Sequence, residues 1–191
     1  MKRTLMSITF AVVAALTVAG CGSDTDSNGA TDSSGGQFNE ADVTFAQQMI
    51  PHHEQAVEMA TMAQERASSP EVKQLAAKIE AAQGPEIDTM TGWLEDWGQE
   101  ASPDSEGGMD HSGSDMSGMM SDEDMESMGA ATGTEFDQMF LTMMIEHHTG
   151  AIEMAKTEQQ DGKNPDAIAL AEKIEADQTA EIAQMEDLLG S

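Results

Sequence analysis

The sequence predicts an all-α fold: a four-helix bundle made of two duplicated helical hairpins joined by a long insert rich in Met, Gly, Ser and Asp. Two observations carry this reading. The chain repeats itself without a gap at an offset of 95 residues, and inside each copy the apolar positions step by threes and fours. Asp42, Phe45, Met49, Ile50, His52, His53, Ala56, Glu58 and Met59 recur as Asp137, Phe140, Met144, Ile145, His147, His148, Ala151, Glu153 and Met154. Further on, Pro70, Leu75, Ile79, Gln83, Glu86, Met90 and Leu94 recur as Pro165, Leu170, Ile174, Gln178, Glu181, Met185 and Leu189. Two hairpins with wide apolar faces bury them best against each other, so 39–191 reads as one bundle domain.

Residues 1–20 read as a lipoprotein signal peptide. Lys2 and Arg3 precede the apolar run Leu5–Ala19, which is too short to remain as a spanning helix. Val18-Ala19-Gly20-Cys21 resembles the bacterial lipobox, whose cysteine carries the lipid, and Cys21 is the chain's only cysteine. Residues 21–38 then form a flexible tether of Gly, Ser and Asp, with an r.m.s. reach of roughly 20–25 Å. The predicted location is the bacterial cell membrane, on its extracytoplasmic face, with the lipid anchor as the only membrane contact.

The first hairpin spans 39–98. Positions 42, 45, 49, 52, 56, 59 and 63 draw one stripe along a helix, and Asn39 with Asp42 fits an N-cap followed by an acidic N3 residue. Ser69-Pro70-Glu71 opens the second helix with a cap, a proline at N1 and an acid on the dipole. Pro51 is expected to bend the first helix before the histidine pair, and Gly84-Pro85 to kink or interrupt the second. The insert, 99–133, is too long and polar for a tight turn and reads as a crossover loop or a disordered segment. The second hairpin spans 134–191, where Thr134 with Asp137 and Asn164-Pro165-Asp166 repeat the two helix starts. The aspartates 42 and 137 are therefore read as capping residues rather than ligands.

Charge and composition narrow the function. A formal net charge of −28 argues against nucleic acid and anionic lipid as partners and favours cations. A single Cys excludes an internal disulfide and a zinc site built on cysteines, while 17 Met residues are an unusual supply of soft donors. Each duplicated helix carries Met and a His pair at helical spacing: Met49, His52, His53 and Met59, then Met144, His147, His148 and Met154. Met90 and Met185 on the second helices join this candidate set. Thioether and imidazole together suit Cu(I), and chemically similar Ag(I), better than hard cations. A thioether, unlike a thiol, is not lost to disulfides where the surroundings oxidise. In the insert, Met109, His111, Met116, Met119, Met120, Met125 and Met128 include two M-x-x-M spacings, which let a mobile chain wrap several sulfurs around one ion. Ligation needs neutral imidazole, so binding is expected to weaken as pH falls through the usual histidine range near ~6.5.

No catalytic constellation is evident, and no organic cofactor is implied. A di-iron bundle would need Glu three residues before the ligating histidines, where Met49, Ile50, Met144 and Ile145 stand instead. The reading is a non-enzyme that binds Cu(I) or Ag(I) and buffers it or passes it to a copper-handling partner. The alternatives are a structural or interaction module with a Met-rich core, or a ferritin-like di-metal redox enzyme. The segments Met49–Ala60 and Met144–Ala155 resemble the signature of the domain-of-unknown-function 305 family. That resemblance implies a ferritin-like bundle in a secreted or lipid-anchored bacterial protein. It also implies an association with copper binding and copper resistance, with the Met and His residues of the two segments as those to test.

Overall fold

A computed structural model describes residues 38–101 and 116–190. It contains five helices: α1 (Glu40–Arg66), α2 (Pro70–Trp97), α3 (Asp122–Ala130), α4 (Gly133–Asp161) and α5 (Pro165–Leu189). Four are long and form the bundle; no strand occurs among the described residues. The signal peptide, the tether with Cys21, and Met109 with His111 lie outside the described residues.

Local signals set most helix ends. Asn39 caps α1 with a complete capping box: its side chain accepts from the Ala41 and Asp42 amides, and Asp42 accepts from the Asn39 amide at 2.6 Å. Ser69 and Asn164 cap α2 and α5, each with proline at the first helical position, where a missing N–H costs nothing. α2 ends at Gly98, whose φ of 66° is the left-handed conformation that reverses the chain at low cost for glycine.

Three sequence expectations need correction. Of the kink or interruption expected at Gly84-Pro85, the interruption does not occur, since α2 runs unbroken to Trp97; α1, expected only to bend at Pro51, continues through it. On either side of Pro85, Ile79, Met90 and Leu94 are buried in the bundle, and that packing outweighs one missing backbone hydrogen bond. The capping box expected from Thr134 and Asp137 does not form. α4 starts at Gly133 behind Thr132, which makes no side-chain cap bond. Asp137 instead accepts from the Ser68 and Ser69 amides, both at 2.9 Å, and from the Ser68 hydroxyl. Nor is the insert simply a loop. Ser121 opens α3 with its own capping box, and Met120 and Met128 are buried in the core.

The aspartate bonds reveal how the hairpins meet. Asp42, at the start of α1, accepts from the Lys163 and Asn164 amides just past α4, at 3.0 and 2.8 Å. Asp137, at the start of α4, reaches the turn just past α1. Hence α1 and α4 run antiparallel, each tied at its N-terminus to the other hairpin's turn. The α1–α4 contact joins the two hairpins, whereas α2 and α5 scarcely touch.

Candidate metal centre in the bundle core

The antiparallel α1–α4 pairing brings the two histidine pairs to the same level. On α1, His52 and His53 separate Met49 and Ile50, in one apolar cluster, from Ala56 and Met59, in another. On α4 the order is reversed, with Met144 in the second cluster and Ala151 in the first. A polar layer therefore crosses the bundle between two apolar halves. The rings of His52 and His147 lie 3.7 Å apart between centroids, tilted by 42°. All four histidines are fully buried.

Each outer histidine has a carboxylate on the partner helix of its own hairpin. His53 Nε2 lies 2.9 Å from Glu86 Oε2, and His148 Nε2 lies 2.7 Å from Glu181 Oε2. An ionised carboxylate only accepts, so these rings donate through Nε2 and leave a lone pair on Nδ1. The two halves are not equivalent, because Lys173 from α5 reaches across to the free Glu86 oxygen at 2.9 Å. Among the described residues no lysine does the same for Glu181. Burial would raise the Glu86 pKa, but the hydrogen bonds from His53 and Lys173 prevail and hold it below the usual range.

Burial also acts on the imidazoles. It pushes His52 down to about 3, helped by the neighbouring His53, against the opposing effect of a hydrogen bond to the Ser117 carbonyl at 3.2 Å. His53 is lowered by burial despite Glu86, and His147 lies well below its ordinary value through burial and the proximity of His52. The expectation of proton competition near 6.5 shifts accordingly: desolvation lowers the pKa of all three rings, moving that competition to more acidic pH. Neutral rings are ligand-competent rings. The Nδ1 atoms of all four histidines are buried without a hydrogen-bond partner, as is Nε2 of His147.

The methionines divide around this layer. Met49 and Met90 are fully buried on one side with half-buried Met154 packed against them; Met59, Met144 and Met185 are fully buried on the other. The Met pairs of each repeat thus flank the histidines rather than meeting as a single face. In the insert, Met120 and Met128 fill the second cluster, Met125 packs against it, and Met116 and Met119 are half-buried. Among the described residues no three His, Cys, Asp or Glu side chains form a group able to hold a metal ion. The antiparallel docking also places three groups the sequence did not single out. Gln83 and Gln178 are buried with unpartnered amide atoms, and Glu158 is buried beside Asp42. Gln83 and Gln178 do recur at the repeat offset, a signal that could have marked them.

The family model for a domain of unknown function, DUF305, matches residues 42–189. The chain belongs to the DUF305 family. Among solved structures, a candidate secreted DUF305 protein from Streptomyces coelicolor is 35% identical, with a TM-score of 0.71 over 78% of this chain and 92% of that one. CopM in its Cu(II)-bound form is 33% identical, with a TM-score of 0.67 over 78% of this chain and 95% of CopM. In its Cu(I)-bound form it is 32% identical, with a TM-score of 0.63 over 77% and 94%. CopM has also been solved with silver. No curated protein sequence matches the chain. The all-α bundle and the family resemblance read from the two Met-His-His segments are both borne out. No helix among the described residues is long and apolar enough to cross a membrane.

Proposed function

We propose that this DUF305 protein binds Cu(I) or Ag(I) in the core of its bundle, through imidazole Nδ1 atoms of the histidine layer and thioethers from the flanking methionines. The observation that carries the reading is the set of five buried imidazole nitrogens with no partner. Leaving a buried polar atom unsatisfied costs about 1–3 kcal/mol, and a soft cation would use the one lone pair that each neutral ring offers. Fully buried Met49, Met59, Met90, Met144 and Met185 stand on both sides of the layer to complete the coordination. Copper- and silver-bound CopM supports the same chemistry in a relative. Met109, His111, Met116, Met119 and Met125 would capture the ion outside the core. With no turnover required, the role is buffering or delivery, on the extracytoplasmic face of a bacterial membrane where lipidated Cys21 anchors the chain.

Competition with a chromophoric Cu(I) chelator under anaerobic conditions tests this. Replacing His52, His53, His147 and His148 together should remove the tightest class of sites and leave weaker thioether binding. An unchanged stoichiometry and affinity would end the role given to the histidines. The burial of Met120 and Met128 favours a second reading, a structural module whose methionines only pack. Absence of copper or silver binding by the intact chain would select it.

A further inference from the structure

The segment Met116–Met120 lies directly on the histidine layer. The Ser117 carbonyl accepts from His52 Nε2 at 3.2 Å, and the Ser117 hydroxyl donates to Glu153 at 2.7 Å. Gln55 grips the next residues through two bonds to the Met120 backbone: its Nε2 donates to the carbonyl and its Oε1 accepts from the amide, both at 2.8 Å. Between these anchors the segment crosses α4 at backbone contact. A Cβ on Gly150 would stand 1.9 Å from the Ser117 carbonyl oxygen. Gly118 has φ +81°, and a Cβ there would stand 2.7 Å from the Glu146 carbonyl oxygen and 3.0 Å from that of His147. Glycine at both positions is what allows the crossing.

The repeat explains where the segment crosses. Gln55 and Gly150 occupy corresponding positions of the two hairpins, 95 residues apart, and are one of the places where the copies differ. The copy with glutamine supplies the clamp, and the copy with glycine supplies the gap. His147, the counterpart of His52, has no hydrogen-bond partner on either ring nitrogen.

We propose that Met116–Met120 is a latch over the His52–His147 pair: the Ser117 carbonyl fixes the ring orientation of His52, and the Gln55 clamp with the Gly118–Gly150 crossing sets how readily the pair can be reached. The claim about metal entry rests on the metal-binding reading; the claim about cover does not. Met116 and Met119 are half-exposed in the same segment, so an ion would pass from insert sulfur to core imidazole when the latch lifts.

Gly150→Ala tests it with little harm to α4, since alanine is the better helix former. Gln55→Ala provides a second variant that creates no new contact. The metal-independent readout is the rate at which diethyl pyrocarbonate modifies His52 and His147 in the full chain. Both variants should raise that rate about tenfold while helicity by circular dichroism is unchanged. The rate of Ag(I) uptake should rise in parallel. Unchanged modification rates in both variants would overturn the latch. Faster modification with no Ag(I) uptake by the wild-type chain would keep the latch as a cover and defeat the metal reading alone.

Discussion

The ring centroids of His52 and His147 lie 3.7 Å apart, with the planes tilted by 42°, although the residues lie 95 positions apart in the chain. They are the same residue of two copies of one motif, so the pseudo-twofold axis of the bundle passes between them. That coincidence packs imidazoles where a bundle ordinarily places aliphatic side chains, and it sets how stability responds to pH.

Acid should destabilise the protein well before its ordinary carboxylates protonate. In the unfolded chain the histidines take up protons near 6.5, whereas burial holds His52 at about 3 and His147 also far below 6.5. The unfolded state binds more protons across that window, so stability is lost as pH falls below about 6.5. Urea denaturation at successive pH values should show a falling midpoint, and His52→Leu with His147→Leu should flatten the slope between pH 6.5 and 5. An equally steep slope in that double variant would place the titration elsewhere.

Glu158 gives the opposite trend on the alkaline side. Burial and the adjacent Asp42 raise its pKa from 4.5 to about 8, so in the folded protein it stays protonated beside Asp42 at neutral pH. The contribution is fully present below 4.5 and is lost as pH rises through about 8. Glu158→Gln keeps a donor and cannot ionise. Its melting temperature should exceed that of the wild type increasingly from pH 6 to 9, and a constant difference would contradict the raised pKa of Glu158.

Glu86 and Glu181 should not be equally costly to remove. Truncating Glu86 strands His53 and removes one of the two carboxylates on Lys173, which keeps Asp177, while truncating Glu181 strands His148 alone. We expect Glu86→Ala to cost about 1–3 kcal/mol, and Glu181→Ala less. Chemical denaturation of the two variants, at a pH where the carboxylates are ionised, measures the difference.

Asp137→Ala should cost about 2–3 kcal/mol, because the carboxylate holds three donors of the α1–α2 turn. Thr132→Ala, by contrast, should stay within ~0.5 kcal/mol, since that N-cap side chain makes no bond. If the threonine variant proved the more harmful, the assignment of Asp137 as a brace between hairpins would be wrong.

Much of the architecture is local or repetitive, and such features can be read from sequence. The 95-residue offset foretells two like hairpins, and the Asn39, Ser69 and Asn164 caps mark helix starts through chemistry confined to a few neighbouring residues. What stayed hidden depends on docking. Asp42 and Asp137 resemble ordinary first-turn acids until the hairpins pack antiparallel, when each acquires donors from the far turn. Pro85 signals a break, yet buried neighbours on both sides keep α2 whole. The docked part of the insert could have been suspected from one detail, the exchange of Gln55 for Gly150 in otherwise matching segments. The histidines were legible as a pair of pairs; the lowered pKa of His52, His53 and His147 was not, because it comes chiefly from burial.

Both tryptophans of the chain sit at the C-terminal end of α2, where Trp97 stacks between Phe38 and Trp93 at 4.8 and 5.9 Å. Intrinsic fluorescence therefore watches one extremity of the molecule and is nearly blind to events at the imidazole level. A loss of emission that precedes the loss of ellipticity on heating would record fraying of this aromatic stack, and an optical assay of ion uptake in this protein needs a reporter placed elsewhere.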